Sequence, residues 1–191
     1  MAKSDKRDKV VRAALELIAE RGYHGAPMAM IAEQAGVGAG TIYRYFENKD
    51  ALIIDLYREI DERIYAAIMA GYAPEKPIRE RFHHIITVLM RYFIEHPSDF
   101  RYLGQFHNSP YGAEVRRNII LSNNGDNYIY RQLLEEGVSQ QVIKDLPMVV
   151  LFALAFGPLK AVVRDHILGF ITLDDAMIEQ IMEASWDGIR R

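Results

Sequence analysis

Hydrophobic residues recur along most of the chain at spacings of three and four residues, and this period predicts helices. Glycine, proline and asparagine residues interrupt the pattern at short intervals, where helices are expected to begin or end. No segment shows the strict alternation that is typical of paired strands. The sequence therefore predicts an all-α fold of about nine helices.

The breaks in the pattern give the helix boundaries. The expected helices cover about 5–21, 28–35, 39–46, 49–70, 78–95, 98–107, 112–136, 147–168 and 174–189. Gly22 ends the first and Gly137 closes the seventh, which the sequence around 123–125 could interrupt. Asn48 is placed to cap the fourth, and Pro158 is expected to kink the eighth. A soft boundary at 65–71 divides the chain into an N-terminal domain, 4–64, and a larger helical domain, 65–191.

The second and third expected helices form one motif at about 27–46. The first apolar stripe consists of Met28, Ile31, Ala32 and Ala35. The second consists of Ala39, Ile42, Tyr43 and Phe46. Gly36 lies between them, where a helix can end in the left-handed conformation, and Val37 fills the corner. This spacing predicts a helix-turn-helix, whose second helix can enter a DNA major groove.

The outward face of the second helix carries polar and very small residues. Helical geometry places Gly40, Thr41 and Arg44 opposite the buried side, with Tyr43 and Tyr45 on the flanks. Glycine costs a helix roughly 1 kcal/mol relative to alanine, so close approach of a nucleic acid would explain its presence. Threonine and arginine can contact bases, and tyrosine hydroxyls can bond phosphates. The alternative is that the glycines serve only the turn and the tyrosines only pack.

The block 22–52, and above all its run Gly-Thr-Ile-Tyr-x-Tyr-Phe-x-x-Lys at 40–49, resembles the DNA-binding domain of TetR-family transcriptional regulators. The resemblance covers roughly the first third of the chain. It implies DNA contacts by Thr41, Tyr43, Tyr45 and Lys49, with Ala39, Gly40 and Arg44 close to the DNA. In the family the second helix usually opens with Thr or Ser, whereas this chain has Ala26-Pro27-Met28. A phosphate contact at that point is therefore not expected, because proline can neither cap nor donate.

The two C-terminal helices are apolar on more sides than one core requires. We expect them to form a homodimer interface, because a two-fold DNA reader needs a dimer and a wide apolar surface needs a partner. The resemblance implies the same four-helix arrangement. The expected interface residues are Phe156, Leu159, Val162, Val163, Ile178 and Ile181.

Aromatic residues in the middle of the chain are candidates for a small-molecule pocket, and the resemblance implies such a cavity in the helical body. The candidates are Tyr92, Phe93, Tyr102, Phe106, Tyr128 and Phe152. The alternative for each residue is ordinary core packing. The sequence does not indicate which molecule would bind.

Composition and charge set limits on other functions. The chain carries a net charge of −3, and a local basic arm at Lys3, Lys6, Arg7, Lys9 and Arg12 is placed to contact phosphate. It has no cysteine, no visible signal peptide and no apolar run long enough to span a membrane, so we expect a cytoplasmic protein. No metal-ligand spacing, nucleotide fingerprint or catalytic constellation is present, so we expect no cofactor, no metal site and no enzyme activity.

The leading hypothesis is a repressor that binds a palindromic operator as a dimer and is released by a small-molecule effector. A DNA-bound structural or adaptor protein with the same head but no effector is the alternative. An enzyme with a borrowed helix-turn-helix is a third class, which turnover of a small molecule would reveal. Effector-dependent release from DNA separates the first two.

Overall fold

The computed structural model describes residues 2–121 and 129–191, which form ten α-helices. The first five are α1 (Ala2–Arg21), α2 (Met28–Gln34), α3 (Ala39–Ile42), α4 (Lys49–Met69) and α5 (Ile78–Glu95). The others are α6 (Pro97–His107), α7 (Pro110–Leu121), α8 (Ile129–Ser139), α9 (Met148–Ile167) and α10 (Asp175–Ile189). Within these described ranges the β-type pairing consists of one isolated bridge, between Ile143 and Arg190. The all-α prediction is confirmed.

Local signals in the sequence set several helix ends as expected. Asn48 Oδ1 accepts a hydrogen bond from Ala51 N at 2.8 Å, and Asp174 Oδ1 accepts one from Met177 N at 2.8 Å. Gly22 follows α1 with a φ of +69°. These contacts satisfy backbone groups that a helix end would otherwise leave without partners.

Three expectations differ from the structure. The helical residues of α3 end at Ile42 rather than at Phe46. Gly137 does not close its helix: α8 continues to Ser139, and a Cβ at Gly137 would lie 2.8 Å from Ile143 Cγ1, so this glycine allows close packing. The single helix expected at 112–136 appears as α7 and α8, and its expected break at 123–125 lies outside the described residues.

The first compact unit consists of Met1–Arg63 and His96–Glu114. Its core is formed by α1 to α4 together with α6, and the Tyr57 ring stacks on Phe106 with centroids 4.1 Å apart. The Tyr102 hydroxyl, which is fully buried, donates to Ile53 O at 2.5 Å. Residues 96–114 were assigned from the sequence to the C-terminal domain, but they pack with the N-terminal helices because these aromatic side chains fill their core.

The second compact unit consists of Ile64–Glu95 and Val115–Arg191. In it α5 packs against α8, α9 and α10, and the Phe82 and Trp186 rings lie 5.4 Å apart. Helices α4 and α7 each contain residues of both units. None of the described helices combines the length and the apolar character needed to cross a membrane.

Candidate nucleic-acid interface

The turn between α2 and α3 is closed by backbone hydrogen bonds. Gly36 has a φ of +65°, and its N donates to Glu33 O at 3.0 Å. Val37 N donates to Ala32 O at 3.0 Å, which completes the cap that commonly ends a helix at a left-handed residue. Nothing lies within 4 Å of a Cβ built at Gly36, so the backbone conformation rather than space requires glycine there.

The inner side of α3 and of the turn that follows it is anchored in the core. Ile42 is fully buried and Phe46 is 3% exposed, as their spacing predicted. After Ile42 the chain continues as a tight turn, since Arg44 N donates to Thr41 O at 3.2 Å and Tyr45 N to Ile42 O at 3.1 Å. The guanidinium of Arg7 lies over the Phe46 ring, 5.6 Å from its centroid. The inner side of this segment is thus fixed by packing, while its other side is open to solvent.

Neither Gly38 nor Gly40, on the open side, is required to be glycine by a close neighbour at its Cβ position. A Cβ at Gly40 would have no neighbour within 4 Å, and one at Gly38 would approach only Thr41 Oγ1, at 3.9 Å. Gly38 also has an ordinary φ of −65°. An alanine would therefore fit both positions and would favour the helix at Gly40. Gly38 is the N-cap of α3, where glycine is preferred over alanine, so the alternative that the glycines serve the turn stays open for Gly38 but does not explain Gly40.

The neighbouring side chains on this face are presented to solvent. Tyr43 is 56% exposed, and Ala39 and Arg44 are exposed as well. Thr41 and Tyr45 are half-buried. Among the described residues Arg44 forms no ion pair. Six of the seven predicted DNA contacts therefore form one open surface at α3, which we call the α3 face: Ala39, Gly40, Thr41, Tyr43, Arg44 and Tyr45.

Lys49, the seventh predicted contact, begins α4 and is half-buried. Its Nζ donates to the backbone oxygen of Tyr23, so the ammonium already ties α4 to the loop after α1. Burial lowers the pKa of Lys49, and the negative charge of Asp50 offsets part of this decrease. A cation in the first turn of a helix is also unfavourable, because that end of the helix dipole is positive.

Part of the predicted basic arm is used within the chain. Arg7 pairs with Asp55 and with Glu59, and Lys9 pairs with Asp5 at 3.0 Å. Helix α2 begins after Pro27, which occupies the N-cap position and makes no side-chain cap hydrogen bond. Proline has no polar side-chain atom with which to cap the helix.

The predicted pocket residues that the structure describes are divided between the two compact units. Tyr102 and Phe106 are core residues of the first unit, whereas Tyr92, Phe93 and Phe152 belong to the second. In the second unit Tyr92 and Phe93 are buried with ring centroids 5.7 Å apart, and Phe152 lies 5.6 Å from Phe156. Tyr128 lies outside the described residues. A pocket among them stays a prediction, and for Tyr102 and Phe106 the packing on α4 explains their burial.

Four of the six predicted interface residues are buried by their own chain: Phe156, Leu159, Val163 and Ile178. A side chain that packs inside its own unit has no surface left for a partner, so these four belong to the core. Val162 and Ile181 are half-exposed. Their exposed neighbours are Leu154, Pro158 and Ala161 on α9 and Ala184 on α10, and the expected interface stays a prediction. Periodicity could not separate the exposed residues from the buried ones, because both sides of α9 are apolar.

The comparison with known proteins agrees with this arrangement. Residues 10–56 match the model of bacterial regulatory proteins of the tetR family, and residues 77–190 match that of the tetracyclin repressor-like C-terminal domain.

Three relatives illustrate the similarity. An HTH-type transcriptional regulator of Haemophilus influenzae is 25% identical over 190 residues, which is 100% of this chain and 98% of that protein. The structure of a putative TetR-family transcriptional regulator from Vibrio parahaemolyticus has 32% identity and a TM-score of 0.75, over 97% of this chain and 99% of that one. The fatty acid metabolism regulator protein of Bacillus subtilis is 49% identical over 57 residues, which is 30% of this chain and 29% of that protein.

Proposed function

The chain belongs to the TetR family of transcriptional regulators, which are helix-turn-helix DNA-binding proteins and not enzymes, and we propose that it represses transcription from an inverted-repeat operator. In this proposal it binds the operator as a homodimer through the α3 face and is released by a small-molecule effector.

Gly40, the open glycine of the α3 face, carries the DNA-binding part of the proposal. Gly40 has no neighbour within 4 Å of a Cβ position, so an alanine would be accepted and would favour the helix. A residue that the fold does not need is explained when a partner must approach the backbone closely. Thr41 and Arg44 beside it have the groups that read base edges, and the tyrosines have hydroxyls suited to phosphates.

A substitution at Gly40 tests this part directly. Gly40→Ala should raise the free energy of unfolding by up to about 1 kcal/mol while it weakens operator binding by about tenfold or more. Gly104→Ala is the matched control, because Gly104 is an exposed helical glycine of the same unit with nothing within 4 Å of its Cβ position. The control should gain stability without losing affinity. Unchanged operator affinity in Gly40→Ala would remove the α3 face as the site of close approach.

The homodimer is supported by an apolar face on the second unit. Leu154, Pro158 and Ala161 are exposed on one side of α9, and on α10 Ala184 is exposed and Ile181 half-buried. Spacings of three, four and seven residues place each set along one side of its helix. Two copies of this face would bury it in a four-helix arrangement and would present two α3 faces to one operator.

Sedimentation of charged variants tests the dimer. Leu154→Glu or Ala184→Glu should give a folded monomer that binds operator DNA poorly, because an uncompensated carboxylate in an apolar interface is costly. Val142→Glu, at an exposed apolar residue outside this face, should remain dimeric. A wild-type chain that is monomeric at micromolar concentration contradicts the proposal.

Effector release is supported by the path of α4. This helix belongs to the first unit up to Arg63 and to the second from Ile64, so it joins the candidate DNA-binding head to the body covalently. An effector can release DNA only if it binds the DNA-competent and incompetent conformations with different affinities. The sequence match to the Bacillus subtilis fatty acid metabolism regulator protein covers 57 residues, so this match does not identify the effector.

Thermal shift followed by DNA binding separates the repressor from the adaptor. A compound that raises the melting temperature should lower operator affinity, and operator DNA should lower the affinity for that compound by the same factor. A bound compound that leaves operator affinity unchanged would favour the adaptor, whose DNA binding responds to a protein partner or to nothing.

A further inference from the structure

A polar groove of about 610 Å³ lies within the second unit, between α5, the residues that follow α4, and α10. Its wall carries four cationic side chains, Lys76, Arg79, Arg81 and Arg91, and two histidines, His83 and His84. Three carboxylates, of Glu80, Glu179 and Glu183, also line it. This volume is within the range of small-molecule sites. Each of the four cations already has a carboxylate partner, in Glu80, Glu183, Glu136 and Asp175, so an anion would have to compete with these ion pairs.

Two buried polar atoms in the groove wall have no hydrogen-bond partner among the described residues. They are Arg81 Nε and Thr87 Oγ1, both on α5. Arg81 is only 6% exposed, and its Nη2 pairs with Glu136 at 2.6 Å, while its Nε–H is left over. Buried polar groups in proteins are almost always hydrogen-bonded, so two unpaired groups in one wall call for an acceptor. Six residues along α5 separate them by about 9 Å along the helix axis and by roughly 120° around it.

The ion pairs along the rim are of the kind that an anion can replace. Arg79 pairs with Glu183, Lys76 with Glu80 at 3.3 Å, and His83 lies 3.7 Å from Glu179. These side chains are largely exposed, and exposed ion pairs contribute about 0 to 1 kcal/mol each. A ligand carboxylate would bring only the charge of the glutamate that it displaced. A phosphate dianion brings more charge and more acceptor oxygens for the planar guanidinium groups.

We propose that this groove binds a phosphorylated small molecule, with Arg79 and Lys76 holding its phosphate and Arg81 and Thr87 donating to its oxygens. His84 lies at the inner side of the groove, where its Nε2 is 2.7 Å from Ile68 O in the last turn of α4. An occupant would therefore touch the residue that holds the end of α4. The binding itself does not depend on operator recognition and is measured without DNA.

The test is calorimetric titration of the full-length protein with sodium pyrophosphate, and a parallel thermal shift against potassium chloride at equal ionic strength. We expect saturable binding at one site per chain and a rise in melting temperature that the chloride does not produce. Arg79→Gln should weaken binding by about tenfold and Thr87→Val by about fivefold. Both are matched by controls outside the groove, Arg190→Gln, which breaks the exposed pair with Asp187, and Thr172→Val.

Three results would overturn the proposal. They are absence of saturable binding, a stabilisation that chloride reproduces, and equal loss of affinity in the groove variants and in the controls. The last would show that the overall charge of the protein, and not this groove, attracts the anion. None of these results bears on the α3 face, because operator binding is not part of the measurement.

Discussion

Glycines in two regions of the first unit have opposite relations to the fold. At Gly112, where α6 meets α7, a Cβ would lie 2.5 Å from the Cα of His107 and would also clash with the backbone oxygen of Phe106. At Gly40, in α3, a Cβ would have no neighbour within 4 Å. The first glycine is explained by packing alone, and the second is not explained by the chain at all. Free space alone does not indicate a binding surface, because Gly104 has an equally open Cβ position; at Gly40 the adjacent Thr41 and Arg44 add side chains suited to base edges.

The largest effect that the comparison predicts is at the α6–α7 corner. Gly112→Ala should lower the free energy of unfolding by about 3 kcal/mol, because the added methyl group meets backbone atoms that cannot rotate away. Gly104→Ala, at an open position of α6, should be neutral or stabilising in the same urea titration. If both variants unfolded at the wild-type urea concentration, the distinction between required and unrequired glycines would fail.

A second prediction concerns Tyr102, which sequence reasoning placed in a ligand pocket. Its hydroxyl donates to Ile53 O at 2.5 Å, and burial raises its pKa far above the ordinary value, so it stays a donor at neutral pH. Tyr102→Phe should lower the free energy of unfolding by about 1 to 2 kcal/mol.

The control for this prediction is Tyr65→Phe, at a tyrosine that is 41% exposed, which should change stability by no more than about 0.5 kcal/mol. Equal stability of Tyr102→Phe and the wild type would mean that the buried bond contributes nothing.

The helix-turn-helix and the cap that follows it show what the sequence could predict. Ile42 and Phe46 were placed correctly on the inner side of the motif, because a helical period fixes which residues share a side. Asn48 was recognised as a cap because that role depends on neighbouring residues only. Local rules thus predicted the helices and the motif.

The partners of a buried side are not a local property. Tyr102 and Phe106 recur four residues apart on α6, but nothing in that spacing indicates whether they pack on α4 or line a cavity. Similarly, α9 is apolar on several sides, so its period could not separate the core residue Leu159 from the exposed Leu154. Sequence patterns indicate that a side is buried; only the structure shows by what.

Lys49 combines the two roles that Gly112 and Gly40 have separately: its side chain stabilises the fold, and it is also a predicted DNA contact. Its ammonium has three N–H donors, and Tyr23 O uses one of them. Lys49→Met should lower the free energy of unfolding by about 1 kcal/mol and reduce the salt dependence of DNA binding by about one unit of slope.

Lys144→Met is the matched control, because Lys144 Nζ also donates to a backbone oxygen, that of Gly188, at 2.8 Å. Lys144→Met should lower the free energy of unfolding and leave the salt dependence of DNA binding unchanged. A wild-type slope in Lys49→Met would restrict Lys49 to its role in the fold.

The smallest effect is expected at the ion pair between Arg81 and Glu136 in the second unit. Arg81 donates to Glu136 and thereby lowers the pKa of that carboxyl, with a further contribution from Gln140. Because the folded pKa is depressed, the stabilisation is present above the ordinary glutamate pKa of about 4.3 and is lost as the pH falls through the lower folded value. The difference in melting temperature between wild type and Glu136→Gln should therefore be constant near neutral pH and shrink in acid.

Glu136 is partly exposed, so the difference in melting temperature should be small and reduced by salt. A difference that persisted undiminished at about pH 3 would show that the side chain acts through packing or neutral hydrogen bonds and not through its charge.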